Sequence, residues 1–235
     1  MNVGDVISTN SGACRVTKYE TRLRVTVTFI DTGYTKTTST QALRRGSVKD
    51  PYFPSIRGVA CLGEGKFRAS IHSRLTPEYK LYLSVTTRCY DTEFQQKNPT
   101  YRKCRLCEDW LNFQTFARDV SQMKNFGRRG FDLDKDLRIL GNKEYGPSAC
   151  SFIPHCINTV LLRREAEGVY LQDGGGFLTK LRMYNENVYL GTFKSKRKAM
   201  SIYREAKSEY VIELANTHRK ELHPEVYNNL VNLNW

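Results

Sequence analysis

The stretch from Gly168 to Leu214 constrains the chain most, because two different hydrophobic periods follow one another within it. From Phe177 to Tyr184 the residues alternate, as in a half-buried strand. Phe177, Thr179, Leu181 and Met183 fall on one side, and Leu178, Lys180, Arg182 and Tyr184 on the other. Val169 to Leu171 makes a short strand before it, and Gly174, Gly175 and Gly176 supply a turn that tolerates positive φ. Asn185-Glu186-Asn187 is expected to turn the chain back into Val188, Tyr189 and Leu190. Ala199, Ile202, Tyr203, Ala206, Tyr210 and Leu214 then recur at the three-and-four spacing of a helix with one buried stripe. The pattern predicts a three-stranded antiparallel sheet packed on one helix, with Lys, Arg, Tyr and Gln on its free face.

A sheet covered on one side by a helix normally leaves its other face to water, so polar residues there are the ordinary expectation. Basic and aromatic residues together are also what a sheet needs to lie in a DNA groove. Arg forks onto guanine, and Lys holds phosphate. Composition bears on this choice: 37 Lys+Arg against 24 Asp+Glu give a formal charge of +13. That excess is spread along the whole chain and suits a polyanionic partner contacted by several modules. No apolar run approaches the ~20 residues that cross a bilayer, so no membrane partner is expected. The seven cysteines are odd in number and unevenly spaced, which reads as reduced thiols in a cytosol.

Tyr189-Leu190-Gly191-Thr192-Phe193, followed by Ala199 and Tyr203, resembles the plant ethylene-response-factor, or Apetala-type, DNA-binding domain. Gly168-Val169 and Phe177…Leu181-Arg182 fit the same pattern. The resemblance implies that the sheet enters the major groove, with Tyr170, Gln172, Lys180, Arg182, Tyr189 and Lys194 facing double-stranded DNA. Tyr170, Gln172 and Asn187 stand where the plant pattern has arginines, so base preference does not transfer.

Upstream, Val25, Val27 and Phe29 alternate with Arg24, Thr26 and Thr28, Asp31-Thr32-Gly33 makes a turn, and Tyr34 to Thr40 is Thr-rich. A small β-barrel-like module or curled meander is expected over residues 1–72. It is either structural or a source of phosphate contacts from Arg15, Arg24, Lys36, Arg44 and Arg45. In residues 73–162, Tyr79 to Tyr90 and Trp110 to Ala117 are expected helices. Phe131 to Asp136 and Cys150 to Ile153 are expected strands, and Ile157 to Leu162 opens a further helix. Strand, loop, strand, helix is the order of a ββα metal-binding nuclease core.

The residues Arg88-Cys89-Tyr90, Trp110…Phe113…Phe116, Leu133-Asp134-Lys135-Asp136, Gly141-Asn142…Tyr145-Gly146-Pro147…Cys150 and Asn158 resemble tailed-bacteriophage HNH-type homing endonucleases. An α+β chain of three segments is therefore expected, 1–72, 73–162 and 163–235, ending in the Apetala-type domain. The resemblance implies metal-dependent cleavage of duplex DNA in a host cytoplasm. Asp134, Lys135 and His155 would be the catalytic candidates, and Asp134, Asp136 and Asn158 would hold Mg2+ or another divalent cation. The first-strand His of the family is missing, since Asp134 or Lys135 takes its place. The alternative is a degenerate DNA-binding regulator, or an accessory or inhibitor acting on a host protein complex. A competing chemistry is structural Zn2+ on Cys104, Cys107, Cys150 and Cys156. An RNA-binding role fits less well, because the major groove of A-form RNA is too narrow for a sheet.

Overall fold

Alternating Val and Thr shape the first part of the computed structural model, which describes residues 1–162 and 168–233. β1 (Val6–Thr9), β2 (Gly12–Thr21), β3 (Arg24–Phe29) and β4 (Thr35–Thr38) pair in sequence order as an antiparallel meander. Cys14, Val16, Val25, Val27 and Phe29 are buried on one face, under Leu43 from the short helix α1 (Thr40–Arg44) and Val48. Thr26 and Thr28 face out, in hydroxyl contact with Thr37 and Thr35 across the strands. The expected barrel does not form. β1 and β4 remain the two edges of an open sheet, and none of the several small sheets in this mixed α and β chain closes.

A hairpin of β5 (Ser70–Ile71) and β6 (Arg74–Leu75) leads to α2 (Pro77–Tyr90). Thr76 caps that helix through the amide of Tyr79, and Pro77 occupies its first turn. α3 (Thr92–Lys97) and β7 (Arg105–Leu106) follow, then α4 (Phe113–Gln122). Trp110, Phe113, Phe116 and Ala117 are buried as their spacing implied. The ring of Tyr82 lies against Phe113 and Phe116, and its hydroxyl donates to the carbonyl of Leu111 at 2.7 Å.

The chain divides into two compact units, Met1–Val120 and Ser121–Trp235. The second holds β8 (Phe131–Asp134), β9 (Glu144–Tyr145), β10 (Ser151–Pro154) and α5 (His155–Leu162). It also holds β11 (Val169–Leu171), β12 (Phe177–Met183), β13 (Glu186–Phe193), α6 (Lys196–Thr217) and α7 (Pro224–Val231). β8 pairs with β10, and β11, β12 and β13 form an antiparallel sheet in that order.

One buried cluster runs through this unit. Ile153, Ile157 and Val160 share it with Leu181 of the sheet and with Tyr203, Tyr210, Val211 and Leu214 of α6. The segments expected as a ββα module and as a separate C-terminal domain thus pack on common ground. Gly168 shows how closely: a side-chain carbon there would lie 2.0 Å from the Tyr203 ring. The β12–β13 turn differs from expectation. It is the two-residue loop Tyr184-Asn185, both at positive φ (48° and 68°), and Glu186 already opens β13. Two such residues make a hairpin turn whose twist matches the strands. Tyr184 is held in this costly conformation because its amide donates to the Tyr210 hydroxyl at 2.9 Å and its ring lies against Tyr210.

Ile157 is fully buried in the shared cluster. Ile157→Ala is expected to destabilise the chain by ~2–5 kcal/mol through lost burial and a cavity, measured by urea unfolding of the full chain followed by circular dichroism.

Candidate nucleic-acid interface and strand carboxylate site

Strand register decides what the C-terminal sheet presents. Tyr170 on β11 and Thr192 on β13 both lie opposite Leu178, Lys180 lies opposite Tyr189, and Arg182 opposite Asn187. Alternation sends the buried Thr179 and Leu181 toward α6, so the other set shares the outer face. Tyr189 belongs to that set only because of a bulge. Thr179 faces Gly191 and Lys180 faces Tyr189, which leaves Leu190 as the extra residue, partly buried against the core. Gly191 takes the positive φ of 132° that this requires.

Tyr170 and Tyr189 are 49% and 58% exposed. Gln172, Arg182 and Lys194 are exposed, and Lys180 is half-buried. The Tyr189 and Thr192 hydroxyls share a hydrogen bond of 3.0 Å. In the first unit Arg15, Arg24, Lys36, Arg44 and Arg45 are exposed as well. Arg24 pairs with Glu20 at 3.4 Å.

The second cluster forms where α5 leaves β10. Pro154 pairs with Phe131, so the helix that starts at His155 begins beside Asp132. Asp132 Oδ2 accepts from Asn158 Nδ2 at 2.9 Å and lies 2.7 Å from His155 Nδ1. His155 Nε2 is 3.2 Å from Thr159 Oγ1, and the imidazole is 68% exposed. A carboxylate at a helix N-terminus also meets favourable backbone dipoles.

Asp134 lies two residues farther along the strand, roughly 7 Å away. Its carboxylate accepts the backbone N–H of Asp136 at 3.0 Å and of Leu137 at 2.8 Å. Burial, and next the Asp136 carboxylate, push its pKa up to about 7. Lys135 is buried and donates to Asp136 Oδ2 at 2.9 Å, with its ammonium 5.9 Å from the centre of the Tyr145 ring.

The structure therefore gathers His155 and Asn158 on Asp132, a residue outside the expected site. Asp134, Asp136 and Lys135 are engaged with one another and with the backbone. Asp132 and Asp134 sit on the same side of an alternating strand. The signal that separates them is the pairing of β8 with β10, which the sequence does not display.

Cys104 is buried and Cys107 half-buried in the first unit, while in the second Cys150 is buried and Cys156 exposed. Partial burial of the sulfur raises the Cys156 thiol pKa. Among the described residues no group of three or more His, Cys, Asp and Glu is arranged to hold a metal ion. No helix of the described residues is long and apolar enough to cross a membrane.

Comparison with protein-family models, with curated proteins and with solved structures finds no match to this chain.

Asp134 makes a pH-dependent contribution to stability. Its pKa is higher folded than unfolded, so the folded chain binds this proton more tightly. The contribution is complete below the unfolded pKa near ~4 and is lost as pH rises through about 7. Between those limits Asp134→Asn is expected to flatten the fall of the melting temperature with pH, compared with the wild type in EDTA.

Proposed function

We propose that the chain binds duplex DNA by laying the outer face of the β11–β13 sheet in the major groove. The lineage read from the sequence is that of HNH-type phage homing endonucleases. One observation carries the binding reading. Tyr170, Lys180, Arg182, Asn187 and Tyr189 stand on one strand face whose reverse is covered by α6. Lys180 would meet phosphate, Arg182 would offer a planar fork to a guanine edge, and the two tyrosines would supply contact area with a polar tip. The formal charge of +13 adds affinity that is independent of sequence and falls with salt.

Arg182→Ala is expected to weaken binding to a selected duplex by ~1–3 kcal/mol and to relax preference at one base pair. Fluorescence anisotropy against selected and scrambled duplexes at fixed salt reads both effects. Unchanged affinity of the variant for the selected duplex would remove Arg182 from the interface.

A second reading, metal-dependent phosphodiester cleavage, is favoured by the meeting of His155 and Asn158 on Asp132. The Asp132 carboxylate is a hard oxygen donor that would hold Mg2+, and Asn158, whose amide nitrogen donates to it, would fix its orientation. Such an ion supplies positive charge toward the developing phosphorane and the leaving oxygen. His155, exposed and steered by Asp132 through Nδ1, is the group able to take a proton from water. On this reading Asp132→Ala and His155→Ala each abolish nicking of supercoiled plasmid in Mg2+ or Mn2+. If the wild type does not nick with either metal, the core serves as a scaffold for a DNA-binding regulator or accessory protein.

A further inference from the structure

A chain of three side chains in the second unit is used by neither reading above. Cys156 Sγ, in the first turn of α5, lies 3.6 Å from His218 Nε2 at the end of α6. His218 Nδ1 lies 2.5 Å from Glu221 Oε2, and the other oxygen of Glu221 is paired with Arg128. First the hydrogen bond to His218, and also that to Arg128, hold Glu221 below the usual carboxylate range. With Nδ1 set against the Glu221 carboxylate, Nε2 is the ring nitrogen turned to the thiol. Nucleophile, base and orienting carboxylate thus stand in working order. All seven cysteines belong to the described residues, and Cys156 alone among them is exposed.

Cys156 and His218 line a cleft of about 460 Å³. Val160 and Leu214 give it apolar walls, Tyr184 and Tyr210 give rings, and Arg182 gives a cation. Burial raises the Cys156 thiol above its usual pKa, so the sulfur needs a base to give up its proton.

We propose that Cys156 is a reactive thiol with His218 as its general base. Its substrates are small disulfides bearing a carboxylate, which Arg182 attracts. His218 Nε2 takes the thiol proton as Cys156 Sγ attacks one sulfur of the disulfide. A new S–S bond forms while the substrate S–S bond breaks. The departing thiolate takes the proton back from His218 and leaves as a thiol, so the products are a mixed disulfide on the protein and one free thiol. The thiol chemistry does not depend on DNA binding, and it shares Arg182 with the proposed DNA face.

The test uses the full chain with oxidised glutathione, or with the uncharged bis(2-hydroxyethyl) disulfide, and site-resolved mass spectrometry of all seven cysteines. Cys156 is expected to react at least about tenfold faster in the native chain than in the urea-unfolded chain. His218→Asn is expected to lower the native rate by a similar factor. A native Cys156 slower than the unfolded one, or a His218→Asn variant reacting at the wild-type rate, overturns the reactive-thiol site. The native-against-unfolded comparison needs no variant to fold. Arg182→Gln is expected to slow oxidised glutathione by about threefold or more beyond its effect on the uncharged disulfide. Equal effects on the two disulfides overturn the carboxylate assignment.

Discussion

The second unit depends on burial of one stripe of α6. Ala199, Tyr203, Tyr210, Val211 and Leu214 cannot remain in water without losing several kcal/mol of apolar burial. They meet Leu181 from the sheet and Ile153, Ile157 and Val160 from the strand–helix segment before it. A single cluster therefore fixes two surfaces at once: the outer sheet face, left over because its reverse is occupied, and the α5 N-terminus beside Asp132. Tyr203 also occupies the space that a side chain at residue 168 would need, which ties the entry of β11 to the same helix.

Much of this was legible in the sequence where one period held over enough residues. The alternation from Phe177 to Met183 and the stripe of α6 were both readable, and so was the Trp110 to Ala117 run. Each is a long repeat whose buried set is fixed by geometry. The β12–β13 turn was misplaced by one or two residues. Asn185-Glu186-Asn187 has the composition of a turn, but the actual loop uses Tyr184, whose positive φ is held by Tyr210 from a distant helix. The barrel expected near the N-terminus failed for a different reason. Alternation predicts strands and their buried faces but says nothing about whether the first and last strands meet.

The candidate site was only partly legible. Asp132, Asp134 and Asp136 sit in a row with a spacing of two, and a strand places all such residues on one side. Choosing among them requires knowing where α5 begins relative to β8, a long-range fact set by the pairing of Phe131 with Pro154. Asp134 was the natural choice from its neighbours. In the fold it closes the turn after β8 by accepting two backbone amides. Cys156 and His218 are 62 residues apart, and no local pattern announces that they meet.

The extra residue in β13 has a consequence for how this surface is encoded. With Leu190 set aside, Asn187, Tyr189 and Thr192 all point away from α6. If the same segment ran as an unbroken ladder up to Gly191, the phase would invert: Val188 and Leu190 would line the exterior and the Tyr189 ring would press on the helix. The same letters thus spell a greasy exterior or a polar one, and the flexible joint at Gly191 chooses between them. What this face presents is governed by where a strand miscounts as much as by which side chains it carries.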